Sequence, residues 1–178
     1  MNKPYTISGN EIELSNYKPN KAGLFITSAL MFGTMLIPVI VILVVLSGGG
    51  RLSIGYFLNA AFFGFIAYYF YRIRTWNKYG KEQFKLKQNQ FSYQPQAKNL
   101  SFKEHVFDLE NLSISVTKLD EIIVFQDEEM ALTRLRFNQN GQSIETSIKT
   151  PYSVTLELLE VFSQWGIKVE GNFDDLHE

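Results

Sequence analysis

Cysteine is absent from all 178 residues, which rules out disulfides, zinc–thiolate sites and thiol nucleophiles together. Histidine is scarce: the chain has only His105 and His177, and neither falls in a metal-ligand spacing such as H-E-x-x-H. His105, between Glu104 and Val106, reads as a solvated surface histidine. His177, with Asp174, Asp175 and Glu178, reads as solvating charge at a chain terminus, weak metal chelation being the sharper alternative. No serine lies in G-x-S-x-G, and no histidine is placed by sequence to serve one. Gly48-Gly49-Gly50 lacks the following Lys-Ser/Thr of a phosphate cradle and reads as a turn between helices. The expectation is a protein with no catalytic residue, no metal and no cofactor, and not an enzyme.

Charge is missing too, over two long runs. Ala22 to Gly50 and Leu52 to Tyr71 contain no Lys, Arg, Asp or Glu, and each reaches the roughly 20 apolar residues that a helix needs to cross about 30 Å of hydrocarbon. The rest of the chain is too short to wrap two helices that are apolar on every face. Residues 23–71 are therefore read as a transmembrane helical hairpin that turns at Ser47-Gly48-Gly49-Gly50-Arg51. Residues 1–22 form a polar N-terminal segment without the early apolar core or cleavage site of a secretory signal. In it, Tyr5-Thr6-Ile7 and Glu11-Ile12-Glu13-Leu14 flank Ser8-Gly9-Asn10 as a short hairpin or one bent strand.

The charges that are present are unevenly placed. Tyr79 to Glu178 holds ten Lys and Arg against sixteen Asp and Glu, whereas Arg51 to Lys78 holds four bases and no acid. An acidic soluble part argues against nucleic acid as a partner. Lys18 and Lys21 precede the first helix, and Arg72, Arg74, Lys78 and Lys81 follow the second, while the connecting loop has only Arg51. By the positive-inside rule both termini are expected in the cytoplasm, with the hairpin in the plasma (inner) membrane. Tyr68, Tyr69, Tyr71 and Trp76 fall where the second helix leaves the hydrocarbon. With Arg72, Arg74 and Lys78 they are read as anchors at the membrane interface. The basic cluster continues through Lys81, Lys85 and Lys87. It serves topology and general attraction to anionic lipid, or in a sharper reading a specific lipid.

Inside the hairpin, small residues recur four apart, at Ala29 and Gly33 and at Ala60 and Gly64, which suits close packing of the two helices or dimerisation. Pro38 cannot donate to the carbonyl of Thr34, which then needs another partner in lipid. Thr34, Pro38 and Asn59 are accordingly expected to form an intramembrane polar contact, with Asn59 facing the first helix.

From residue 72 to 170 the pattern changes to short alternating runs. Phe84 and Leu86, then Phe91 and Tyr93, flank Gln88-Asn89-Gln90 as a hairpin that Pro95 ends. Leu100 with Phe102, Val106 to Leu109, and Leu112 to Val116 follow, then a turn at Lys118 to Glu121, a strand at Ile122 to Phe125 and an acidic turn at Gln126 to Glu129. The last hairpin runs from Leu132 to Ile148 around Asn138-Gln139-Asn140-Gly141, where Asn-Gly supplies positive φ. The period then switches to that of a helix between Pro151 and Gly166, with Leu158, Leu159, Phe162 and Trp165 on one face and Trp165 expected in the core. Ile167 to Val169 adds a short strand. Residues 171–178 read as an acidic tail.

The expected fold class is an α+β membrane protein: a two-helix hairpin, then an antiparallel β-barrel of about seven strands capped by a C-terminal helix. About seven strands followed by one helix, with the Gly141 turn and the helix end Trp165-Gly166-Ile167, resemble the pleckstrin-homology (PH) fold. Placed after a membrane hairpin, the arrangement is similar to bacterial membrane proteins with cytoplasmic PH-like domains, including the YcxB-like group. The resemblance covers roughly residues 72–169. The phosphoinositide readers of that fold use a basic loop between the first two strands, where this chain has Gln88-Asn89-Gln90 beside Lys87, so headgroup recognition does not carry over. The function expected is a non-enzymatic, membrane-anchored scaffold or interaction module. Its partners would be the lipid bilayer and either another protein or a second copy, met through the hairpin or the β domain. The alternative is a β-barrel sensor of a small ligand such as a nucleotide messenger, for which Arg134 and Arg136 are the arginines available.

Overall fold

A computed structural model describes residues 3–16, 21–51, 53–100, 102–125 and 128–171 of the chain. They divide into two compact units: a helical pair with residues 97–100, and a β-rich unit that gathers the N-terminal segment and most of the chain beyond residue 80.

In the helical unit, α1 (Lys21–Ser47) and α2 (Ile54–Tyr79) are long and apolar enough to cross a membrane. At 1.5 Å per residue they measure about 40 Å each. Helix α2 does not stop with the apolar run at Tyr71 but continues for two turns, carrying Arg72, Arg74 and Lys78 on helical backbone. The half-buried positions of α1 include Leu24, Thr27, Met31, Thr34, Pro38, Val41 and Val45, and those of α2 include Tyr56, Ala60, Phe63 and Phe70, with Ala67 fully buried. Spacings of three and four on both helices make this the seam along which they pack. Outside the seam the apolar side chains are bare: Phe25 is 75 % exposed and Ile54 79 %.

The β-rich unit contains two sheets. Strands β1 (Tyr5–Ser8), β2 (Glu11–Ser15), β3 (Gly80–Lys87), β4 (Gln90–Ala97) and β5 (His105–Asp108) follow one another across the first. The N-terminal segment is thus a hairpin, and it belongs to the sheet. Antiparallel pairing puts Leu14 opposite Glu82 and Glu11 opposite Lys85. Pro95 lies within β4 rather than ending it. Strand β5 pairs β4 only as far as Tyr93, and among the described residues the next pairing on β4 is the isolated Ala97–Leu100 bridge, so Pro95 falls between the two, a setting in which a strand tolerates proline.

The second sheet comprises β6 (Ser113–Phe125), β7 (Glu128–Gln139), β8 (Gln142–Glu145), β9 (Thr150–Pro151) and β10 (Lys168–Val169). Its order is β10-β6-β7-β8, with β9 also on β7 and β10 parallel to β6. The turn expected at Lys118 to Glu121 is instead a bulge inside one long strand. Lys118 opposes Thr133 and Ile122 opposes Ala131, so four steps along β6 span two along β7. Of the acidic turn expected at Gln126 to Glu129, residues 126 and 127 lie outside the described residues, and Glu128 and Glu129 belong to β7. Asn140 and Gly141, at φ 51° and 77°, make the tight turn between β7 and β8.

The expected single barrel is not what forms: the described strands make two sheets that do not close on each other. Their inner faces meet instead across an aromatic core. Phe84, Phe91, Tyr93 and Phe137 are buried, with Phe91 and Phe137 rings 5.2 Å apart and Phe84 and Phe162 rings 5.5 Å apart. Phe162 comes from α3 (Tyr152–Gln164), which also buries Val154, Thr155, Leu158 and Leu159. The helix ends as its sequence predicts. Gly166 takes φ 82°, its N–H donates to Ser163 O, and Ile167 N–H donates to Phe162 O, a Schellman cap. Trp165, the C-cap, is half-buried rather than in the core, its ring 5.7 Å from Phe162 and 6.5 Å from Phe91.

Candidate functional site

Side chains alternate along β3, so Glu82 and Phe84 point the same way, into the unit. Glu82 is 0 % exposed. A carboxylate in phase with a core phenylalanine is the most informative departure from the apolar pattern in this chain, because a buried charge needs partners. Its Oε1 accepts the Tyr93 hydroxyl of β4 at 2.7 Å and the backbone N–H groups of Ser147 and Ile148 at 2.5 and 3.1 Å. Its Oε2 is buried without a hydrogen-bond partner among the described residues.

Burial dominates the electrostatics: it pushes the Glu82 carboxyl up to about 7, against the Tyr93, Ser147 and Ile148 hydrogen bonds and the positive charge of Arg134. Burial and the neighbouring Glu82 charge likewise raise the Tyr93 phenol. Ser147 and Ile148 lie on a strap, residues 146–149, between β8 and β9. Thr146 stitches the strap to β7, its N–H donating to Leu135 O at 2.8 Å and its Oγ1 accepting Leu135 N–H at 3.0 Å. Glu82 thus joins the first sheet to the connection between two strands of the second.

Arg134 and Arg136 both reach Glu145. Arg136 makes a short, charge-assisted contact to Glu145 Oε1, and Arg134 Nη1 stands 3.9 Å from Oε2. The Arg136 hydrogen bond leads in holding the Glu145 carboxyl below its ordinary value. Arg136 is therefore engaged with a carboxylate, whereas Arg134 makes only the longer approach and its Nε is buried without a hydrogen-bond partner among the described residues. His105 is half-buried, stacked 6.1 Å from the Tyr93 ring, and burial lowers its pKa.

Two further clusters are structural. Thr133, Thr150 and Thr155 are all buried, with Thr155 Oγ1 2.6 and 2.7 Å from the other two hydroxyls, and this network ties α3 to β7 and β9. On the surface Lys3 and Tyr5 both contact Glu157, pinning β1 to α3. The basic cluster read from the sequence is divided by the fold. Lys81 pairs with Glu13 at 2.6 Å and Lys85 with Glu11 at 3.2 Å across β2 and β3.

In the helical unit Tyr68, Tyr69, Arg72 and Lys78 are exposed, and Tyr71, Arg74 and Trp76 are half-buried. Arg74 Nε donates to Ser28 Oγ of α1 at 2.7 Å. The contact expected among Thr34, Pro38 and Asn59 does not form. Thr34 Oγ1 donates within its own helix, to Leu30 O and Met31 O. Asn59 is exposed, one position before the seam residue Ala60, and none of the hydrogen bonds among described residues reaches its side chain. Helical rotation of about 100° per residue turns it off the seam. Gly33 and Gly64 also lie outside the seam: a Cβ at either would meet no atom within 4 Å.

Sequence reasoning missed Glu82, although strand alternation around Phe84 marks it as inward. Among the described residues no group of three or more His, Asp or Glu is placed to hold a metal, and residues 174–178 lie outside them. No protein-family model matches the chain, and neither does any curated protein or solved structure.

Proposed function

We propose that the chain is a membrane-anchored, non-enzymatic interaction module in which the two helices cross the bilayer as one hairpin and present the β-rich unit at the cytoplasmic face. The observation that carries this reading is the pairing of β2 with β3. The strand before the helices and the strand after them are neighbours in one sheet, so both ends of the helical pair return to the same side. The bare apolar flanks of α1 and α2 support lipid as their solvent. The basic residues at those ends, against Arg51 alone in the loop, support the cytoplasm for that side. The similarity to PH-like domains of bacterial two-helix membrane proteins belongs to this proposal. A scaffold role rests on the sealed Glu82 cluster, which offers no reactive group to a substrate, and on the outer part of β6. There Ile122 and Val124 are 69 % and 61 % exposed, and no described strand pairs Leu119 to Val124 on the side opposite β7. Such an edge takes an extended protein segment as an added strand.

Because the chain has no cysteine, one panel of single-cysteine variants tests the proposal. In intact cells Ser53→Cys should react with an impermeant maleimide, while Ser8→Cys and Ser143→Cys stay protected until the membrane is opened. A photoactivatable crosslinker on Ile122→Cys should give one discrete protein adduct, lost with Val124→Asp. External labelling at Ser143 would overturn the topology, and a folded chain without an adduct at position 122 would overturn the interaction role.

A further inference from the structure

We infer that two copies of this chain associate in the membrane through the face of α2 that carries Asn59, with the two Asn59 amides hydrogen-bonded to each other. The inference rests on the membrane-spanning reading above. Asn59 lies five residues into α2, about 7.5 Å along the axis from the helix start. It stands among uncharged residues and is exposed. In hydrocarbon an amide without a partner is costly, so a polar side chain turned outward from a hairpin marks a contact.

The same side of α2 carries Gly55, Phe62 and Ile66, which with Asn59 follow spacings of four, three and four. This is the repeat of a packed helix seam, displaced by one residue from the seam that α1 occupies; Gly55, Asn59 and Phe62 are exposed, and Ile66 is half-buried where the two faces adjoin. A Cβ at Gly55 would touch only Ser53 Oγ of its own chain, at 3.6 Å. A neighbouring helix can therefore approach closely one turn from Asn59.

The chemistry of the amide selects the occupant. It carries donors and acceptors together, so it complements another amide. A foreign helix would need its own polar group at the same depth and rotation. A second copy has one by construction, because a two-fold axis along the membrane normal keeps both copies of Asn59 at equal height.

Full-length chain in its native membranes tests this. Phe62→Cys should form a disulfide-linked dimer on mild oxidation, and Phe57→Cys, on the far side of α2, should not. Adding Asn59→Leu to Phe62→Cys should weaken association roughly 3- to 30-fold, the range for one intramembrane side-chain hydrogen bond, and Asn59→Gln should largely keep it. Equal crosslinking with leucine at position 59, no dimer from position 62, or an adduct there with another protein overturns the inference. Alkaline carbonate washing separates the two readings. Chain released from the membrane sinks the spanning model and this pairing with it, while chain retained without a dimer sinks only the pairing.

Discussion

Glu82→Gln removes the charge of the one carboxylate that is fully buried among the described residues while keeping an oxygen for Tyr93, Ser147 and Ile148. The ordinary carboxyl value of 4.5 rises to about 7 in the fold, with burial the leading cause. The folded chain therefore holds this proton over a range of pH in which the unfolded chain has released it. Stability from this group is complete below pH 4.5, falls as pH rises to about 7, and is flat above. At 1.36 kcal/mol per unit the loss is about 3 kcal/mol, a large share of the 5–15 kcal/mol that holds a typical domain together.

The assay is chemical unfolding of the protein in detergent, followed by tryptophan fluorescence in a Trp76→Phe background, so that the signal comes from Trp165, whose ring lies against Phe91 and Phe162. The background protein and its Glu82→Gln variant are compared at pH 4.5, 6 and 8. Other groups titrate as well. His105, its pKa lowered, contributes stability that is lost as pH falls through its folded value, the opposite trend. Glu145 and Glu157, also lowered, lose theirs only below the ordinary carboxyl value. These contributions cancel in the difference between the two proteins. The difference should move by about 3 kcal/mol in favour of the variant between pH 4.5 and 8. Parallel curves would mean that Glu82 is solvated or stays charged throughout, and would refute the reasoning.

Phe162→Ala should cost about 3–5 kcal/mol of unfolding free energy, as for a fully buried aromatic, but Trp165→Ala only about 1–2 kcal/mol because its ring is half-exposed; the reverse ranking by denaturant titration would place Trp165 in the core after all. Thr155→Val should cost about 1–3 kcal/mol by leaving the Thr133 and Thr150 hydroxyls without their shared partner. Thr155→Ser, which keeps the hydroxyl, should cost less, and a valine variant as stable as the serine one would show that the network contributes nothing.

What could be read in the sequence was local. Two runs without charge, each of about 20 residues or more, give two long apolar helices. Asn140-Gly141 gives a tight turn, since it supplies positive φ, and the periodicity from Pro151 to Gly166 gives α3 with its cap. The misreadings come from interactions between distant segments. Lys118-Leu119-Asp120-Glu121 has turn chemistry, but β7 continues alongside it and the extra residues become a bulge. The N-terminal hairpin looked separate because its partner strand lies beyond the whole helical pair. The pairing of Glu11 with Lys85 and of Glu13 with Lys81 was latent in the charges, yet it could be chosen only once the two segments were known to be adjacent. Asn59 lies off the seam because one residue turns a helix by about 100°, and the partner of a polar side chain depends on that rotation. Glu82 shows the limit most sharply. Alternation alone puts it on the inner face with Phe84, where the ordinary inference would be a register error or a solvated edge. The donors that resolve the conflict, the N–H groups of Ser147 and Ile148, come from 65 and 66 residues further along the chain. A buried carboxylate is thus foreseeable from the pattern of one strand, but the groups that make its burial tolerable belong to the tertiary fold, and they set both its proton affinity and the pH at which that fold weakens.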